Sequence, residues 1–382
     1  MTVFQSPKTP LAVLAGVGAL VALAACDSTG SAGSTGPGGP IKVEASDTSC
    51  AVAASTASAG NLTFEITNKG SKVTEFYLYA EGDRIMGEVE NIAPGLNRRL
   101  IVEVPDAGKY QTACKPGMVG NGIRGDFTVT GGAAKQNDVN AQKSEATKSY
   151  ATYIANNTSA LETETAKFVD TVKAGKVDEA KAQYATTRAY YERIEPVAEK
   201  FGDLDPLIDV READLTPGQQ FTGFHRLEKD LWVTGLKPDS GQVADKLLAD
   251  VKDLVTKTKT LQLTALDLAN GAKGLLDEVA TGKITGEEET FSHTDLWDFQ
   301  ANVDGSKGAI AALRPILQER DPALVSTLDK QFANVQALLD KTRSGDGFKY
   351  YNQLSQDEIK AFASAVDALS EPLSKVAEVV SK

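Results

Sequence analysis

The stretch Ser355-Gln356-Asp357-Glu358-Ile359-Lys360-Ala361-Phe362-Ala363-Ser364-Ala365-Val366-Asp367-Ala368-Leu369-Ser370-Glu371-Pro372-Leu373-Ser374-Lys375-Val376 decides the class of the larger, C-terminal part of this chain. Ile359, Phe362, Val366, Leu369, Leu373 and Val376 recur at alternating steps of three and four, which puts them on one face of a helix. Ser355 and Glu358 stand ahead of that face as a capping box, in which each side chain can satisfy the other's free backbone N–H. Further back, Asp321-Pro322 opens a helix whose face is Leu324, Leu328, Phe332, Val335 and Leu339. Similar stripes predict helices over 138–174, 177–200, 217–234, 241–270 and 308–319, besides 321–342 and 355–380. Residues 136–382 therefore read as all-α. They are too many for one four-helix bundle, so two stacked four-helix units are expected.

Upstream the period drops from between three and four to two. β-rich runs at Ile41–Ala45, Leu62–Thr67, Glu75–Tyr79, Leu100–Val104, Tyr110–Ala113 and Phe127–Val129 are separated by turn residues such as Pro94-Gly95 and Asn121-Gly122. Short strands at this spacing predict a β-sandwich over 41–131. The order of its features, with Tyr110-Gln111-Thr112-Ala113-Cys114 followed by Met118, resembles a cupredoxin-like domain. A blue-copper site needs two histidines beside its cysteine, and this segment has none, so the resemblance extends to fold and not to copper electron transfer. Cys50 and Cys114 read either as a disulfide or, with Glu75 and Met118, as a secondary metal site.

The first residues read as an export signal. Lys8 precedes the apolar run Leu11 to Ala25, which is short for a membrane span and ends in Leu23-Ala24-Ala25-Cys26. That ending resembles a bacterial lipobox. The resemblance implies that residues 1–25 are removed and that Cys26 is lipidated, anchoring the chain to the outer face of the cell membrane. Residues 26–40, rich in Gly and Ser, then read as a flexible tether. The formal net charge of −12 disfavours nucleic acid and anionic lipid surfaces as partners and favours cations.

Only two histidines occur in the 382 residues. In Gly223-Phe224-His225-Arg226-Leu227-Glu228 a helical reading puts His225 and Glu228 on one face beside the apolar stripe Phe224, Leu227 and Leu231. Such a pair can share a metal ion or simply a hydrogen bond. In Tyr191-Glu192-Arg193-Ile194-Glu195-Pro196 two carboxylates are likewise three apart, with Tyr184 and Arg188 on the same side. The second histidine lies in Ser292-His293-Thr294-Asp295-Leu296-Trp297-Asp298-Phe299-Gln300-Ala301-Asn302.

These words, together with Asp203-Leu204-Asp205-Pro206-Leu207-Ile208-Asp209, resemble the imelysin-like peptidase family, and with the sandwich in front they resemble its EfeO-type iron-uptake branch. The resemblance implies an extracytoplasmic iron-binding component that captures iron and passes it to a membrane permease. It also implies an EfeU-type permease and an EfeB-type haem peroxidase as partners. Its metal ligands carry over to His225, Glu228, Glu192, Glu195 and Asp209, to which we add Asp295.

A carboxylate-rich set with one imidazole suits ferrous or ferric iron, with manganese, calcium or zinc compatible. Zinc proteases present two histidines from one helix, whereas Lys229 stands where the inverted His-x-x-Glu-His motif needs the second. Binding without catalysis is therefore expected. The alternatives are a metallopeptidase, or a polysaccharide-binding lipoprotein using Tyr190, Tyr191, Trp232 and Trp297 as stacking surfaces.

Overall fold

The structure is a computed structural model that describes residues 39–131, 139–202 and 204–382. The leader, Cys26 and most of the expected tether lie outside the described residues. Among the described residues no helix is long and apolar enough to cross a membrane.

The N-terminal part is a two-sheet sandwich. Its strands are β1 (Ile41–Ala45), β2 (Cys50–Val52), β3 (Thr56–Ser58), β4 (Gly60–Asn68), β5 (Thr74–Tyr79), β6 (Ile85–Ile92), β7 (Asn97–Val104), β8 (Gly108–Cys114) and β9 (Ile123–Thr130). One sheet runs β2-β1-β4-β7 and the other β3-β9-β8-β5-β6. The alternation seen in the sequence is the inward register: Ile41, Val43 and Ala45 of β1, and Leu62, Phe64 and Ile66 of β4, are buried between the sheets. Phe64 packs on Phe76 and Phe127 at ring-centroid distances of 5.1 and 5.6 Å. A Cys50–Cys114 disulfide joins the two sheets, with Cα atoms 5.5 Å apart. Both sulfurs are thus committed to each other. Glu75 accepts from the Tyr77 hydroxyl at 3.0 Å, and Met118 is exposed in a turn with φ 58°, so the four do not form a thiolate site here.

The helical part contains α1 (Val139–Lys173), α2 (Val177–Glu192), α3 (Leu204–Asp209), α4 (Gly223–Lys229), α5 (Ser240–Thr258), α6 (Ala265–Thr281), α7 (Asp295–Arg320), α8 (Pro322–Lys341), α9 (Gln356–Leu373) and α10 (Val376–Ser381). Helix α1 packs along α2 and α5, and α6 to α9 pack as a second group, with α7 also touching α1 and α2. Five expected helix bounds need correction. The helix over 217–234 starts only at Gly223, and the one over 355–380 breaks after Leu373 before α10. The 177–200 helix stops at Glu192 and continues as a 3-10 segment, Glu195–Phe201, because Pro196 lacks the N–H the helix would need. The single helix over 241–270 is two helices, because Thr264 and Asp267 form a capping box that starts α6. Helix α7 begins at Asp295 rather than near 308, since its first turns bury polar residues that broke the apolar stripe.

The sandwich and the bundle share one compact unit. Asn270 Nδ2 donates to the Ile101 carbonyl at 2.8 Å, and the Lys200 ammonium donates to the Ile85 carbonyl at 3.2 Å. Ile101 itself is buried in the helical core.

Candidate metal centre

Five pieces of chain converge where α2, α3, α4 and the start of α7 meet. Helix α2 places Tyr184, Arg188, Tyr191 and Glu192 inward, and the following turn adds Glu195. The end of α3 supplies Asp209, and α4 supplies His225 and Glu228. Segment 283–294 brings Lys283, Glu288, Glu289 and Ser292, and α7 contributes Asp295, Asp298 and Asn302. Gly223 fixes part of this geometry. Its φ is +80°, and a Cβ there would run into the Ile208 carbonyl, so only glycine lets α4 lie this close to the end of α3, one residue from Asp209.

His225 is 2 % exposed. Its Nδ1 lies 3.3 Å from Glu228 Oε2, while Nε2, which lies 3.6 Å from Asp209 Oδ1 and 3.7 Å from Glu288 Oε1, is a buried atom without a hydrogen-bond partner among the described residues. Glu228 is held by its other oxygen, which accepts the backbone N–H groups of Phe291 at 2.9 Å and Ser292 at 2.6 Å. Among the described residues, three groups have ligand atoms close enough to share an ion: Asp209, His225 and Glu288; His225, Glu228 and Glu289; and Glu192, Glu195 and Asp209. If a metal ion bound there, Nε2 would give up its proton and join the neighbouring carboxylate oxygens as a ligand, with Nδ1 kept for Glu228. That donor set, mostly oxygen with one imidazole nitrogen, fits a hard or borderline cation.

Besides Arg211, which reaches Glu288 at 3.4 Å from a partly exposed position, two buried cations of the protein sit among these acids in the described residues. Arg188, fully buried, pairs with Glu192, Asp209, Glu288, Glu289 and Asp298. The Lys283 ammonium pairs with Glu192 at 2.8 Å and Glu195 at 2.7 Å. Burial opposes charging both Glu192 and Glu288. Arg188 and Lys283 nevertheless hold Glu192 below the usual carboxylate range, and Lys283, His225 and Arg188 hold Glu288 well below it. Glu289 is pushed well above the range by burial and by neighbouring Glu228 and Asp298. Burial likewise lifts Asp298 to about 7. Burial and Arg188 press His225 downward, yet the pull of Glu228 and Glu288 leaves its pKa raised.

Of the residues expected from the sequence, the structure brings His225, Glu228, Glu192, Glu195 and Asp209 together. Asp295 lies beside them without joining a ligand group; its Oδ1 accepts the Glu289 N–H at 3.2 Å, and burial lifts its pKa to about 6. Sequence reasoning missed Glu288 and Glu289. They lie in an irregular segment with no periodicity to mark them, although Glu287-Glu288-Glu289 just ahead of the Ser292–Asn302 word was a visible cue. Lys283 gave no signal of any kind. Among the aromatics expected as sugar platforms, Tyr191 is buried, and Tyr190, Trp232 and Trp297 are half-buried against the helical core.

Fold and site together define a class: a cupredoxin-like sandwich joined to an imelysin-type bundle that gathers acids around one imidazole. The family model described as Imelysin matches residues 146–376, and the one described as Cupredoxin-like domain matches residues 16–129. The iron uptake system component EfeO of Escherichia coli O157:H7 is 40% identical over 346 residues, covering 89% of this chain and 91% of that protein. The EfeO proteins of Escherichia coli strain K12 and Shigella flexneri are each 39% identical over the same shares. The chain belongs to the imelysin family, in its EfeO branch. Reduced auracyanin from Roseiflexus castenholzii aligns with 25% of this chain and 100% of its own at 17% identity and a TM-score of 0.22, a likeness too slight to bear on fold or site.

Proposed function

We propose that this protein is the extracytoplasmic iron-binding component of an EfeUOB-type uptake system, which captures iron and delivers it to an EfeU-type permease. The observation that carries the reading is the buried, partnerless His225 Nε2 facing Asp209 and Glu288. The name of the relatives at 39–40% identity, iron uptake system component, supports iron as the cargo. Residues 1–25 act as an export signal, and lipidated Cys26 with the 26–40 tether holds domains 41–131 and 136–382 at the membrane face. An EfeB-type haem peroxidase is the expected second partner. Iron is held where the groups Asp209, His225 and Glu288 and Glu192, Glu195 and Asp209 meet at Asp209, with Glu228 orienting the imidazole through Nδ1. Turnover is not part of this function: the described site offers one histidine, so a peptidase would lack the second imidazole ligand that zinc proteases use.

Calorimetric titration of iron into the wild-type protein and His225→Ala tests the reading. Tight binding that falls by one to several orders of magnitude in the variant, at about 1.4 kcal/mol per tenfold, is expected. Equal affinities, or metal-dependent cleavage of peptides by the wild type, would overturn it.

A further inference from the structure

We propose that Lys283 is a built-in counter-ion that occupies the Glu192–Glu195–Asp209 part of the site and is turned out into the adjoining cleft when a metal ion arrives. The inference rests on the metal-binding reading of the site and deepens it by naming what the ion must displace.

The position of the ammonium is the first observation. Lys283 Nζ lies 2.8 Å from Glu192 Oε2 and 2.8 and 2.7 Å from the two oxygens of Glu195, and 3.7 Å from Glu288 Oε1. Glu192, Glu195 and Asp209 also form one of the three groups able to share a cation. A lysine thus holds two of the three carboxylates that an ion would draw in to about 2.0–2.2 Å. Asn302 fixes the same pair, donating Nδ2 to Glu192 Oε2 and to Glu195 Oε2, each at 2.7 Å. The carboxylates are therefore positioned with or without the lysine.

The second observation separates the two cations. Arg188 extends from the middle of α2, is completely enclosed, and contacts five carboxylates from four pieces of chain. Lys283 instead follows Gly282 in a short 3-10 turn, Lys283–Thr285, and lines an open cleft with Glu195, Asp209, Arg211, Glu278 and Glu288. A lysine carries a compact charge on a four-carbon stem with several rotatable bonds, whereas a guanidinium spread over many partners is fixed. Lys283 is the cation that can leave, and it leaves on the side where Glu278 lines the wall.

The consequence is selection by charge. An entering ion must outbid an ammonium for Glu192 and Glu195, which a trivalent or small divalent ion does and a monovalent ion does not. The swap also keeps the buried acids compensated at every stage, avoiding the large cost of unpaired buried carboxylates.

Acylation of lysines with an amine-reactive ester, read by mass spectrometry with and without saturating ferric iron, tests the displacement. Lys283 should be protected in the metal-free protein and modified at least several-fold faster with iron bound. Saturation, measured independently by iron content, with Lys283 still protected overturns the proposal and leaves the metal site standing. Lys283→Gln provides the second arm: manganese affinity should rise tenfold or more over wild type. Manganese affinity that is unchanged or lower also overturns the proposal. If neither wild type nor Lys283→Gln retains iron or manganese, the metal reading and this inference fall together.

Discussion

Glu228 Oε1 accepts the backbone N–H of Ser292 at 2.6 Å, and through that bond α4 is tied to the segment that carries Glu288 and Glu289. The same carboxylate turns its other oxygen to His225. One side chain thus orients the imidazole and anchors the acids that complete the site. Because burial alone would raise its pKa, the bonds from His225, Ser292 and Phe291 are what hold Glu228 in its charged form.

Glu288→Gln is expected to weaken iron binding at least tenfold while leaving helical circular dichroism unchanged, since a neutral amide supplies a poorer ligand to the His225 Nε2 side. Combined with His225→Ala, the loss should be less than the sum of the single losses, because both act on one ion. Additive losses measured by calorimetry would separate the two residues.

The bond between Cys50 and Cys114 closes a 64-residue separation. Chain-entropy arguments give about 4 kcal/mol for a loop of that size. A Cys50→Ser/Cys114→Ser protein should therefore lose on the order of 2–5 kcal/mol in denaturant melts of the sandwich, and the unreduced wild type, freed of residues 1–26, should show no titratable thiol after denaturation.

At the start of α9, Glu358 accepts the backbone and hydroxyl donors of Ser355 and pairs with Lys349; these partners pull its pKa down to about 2. A depressed carboxylate pKa stabilises the fold above its unfolded value, about 4.3, and that contribution is lost as pH falls toward 2. Glu358→Gln should flatten the dependence of stability on pH between those two values. Ser355→Ala should cost about 1 kcal/mol at neutral pH, as loss of an N-cap does. Equal slopes for wild type and Glu358→Gln in acid urea titrations would contradict this account.

If lipid anchoring at Cys26 holds as proposed, Cys26→Ser should release the exported protein from the membrane to the soluble fraction. Fractionation of cells expressing each form reads the outcome directly, and a variant that stays with the membrane refutes lipid anchoring.

The sequence by itself determined which residues face inward in regular elements. Ile41, Val43 and Ala45 alternate because successive strand side chains point to opposite faces, and Ile359 through Leu373 repeat at three and four because a helix turns every 3.6 residues. For the same reason His225 and Glu228 were legible as neighbours: three residues along a helix is a contact distance. Strand β6 escaped notice because Gly87, Glu88 and Glu90 interrupt its alternation at the edge of its sheet, where Gly87 leaves room for Val102. Helix α7 began thirteen residues earlier than its apolar stripe suggested, because Asp298, Asn302 and Ser306 face a buried polar site, which inverts the usual pattern. What only the tertiary structure decided is the company each acid keeps. Glu288 reaches His225 across 63 residues of chain, Lys283 reaches Glu192 across 91, and Arg188 gathers carboxylates from distant segments. Local spacing carries no record of such meetings, since they arise from how helices pack, and it is that packing that turned scattered acids into one buried cluster around His225, Arg188 and Lys283.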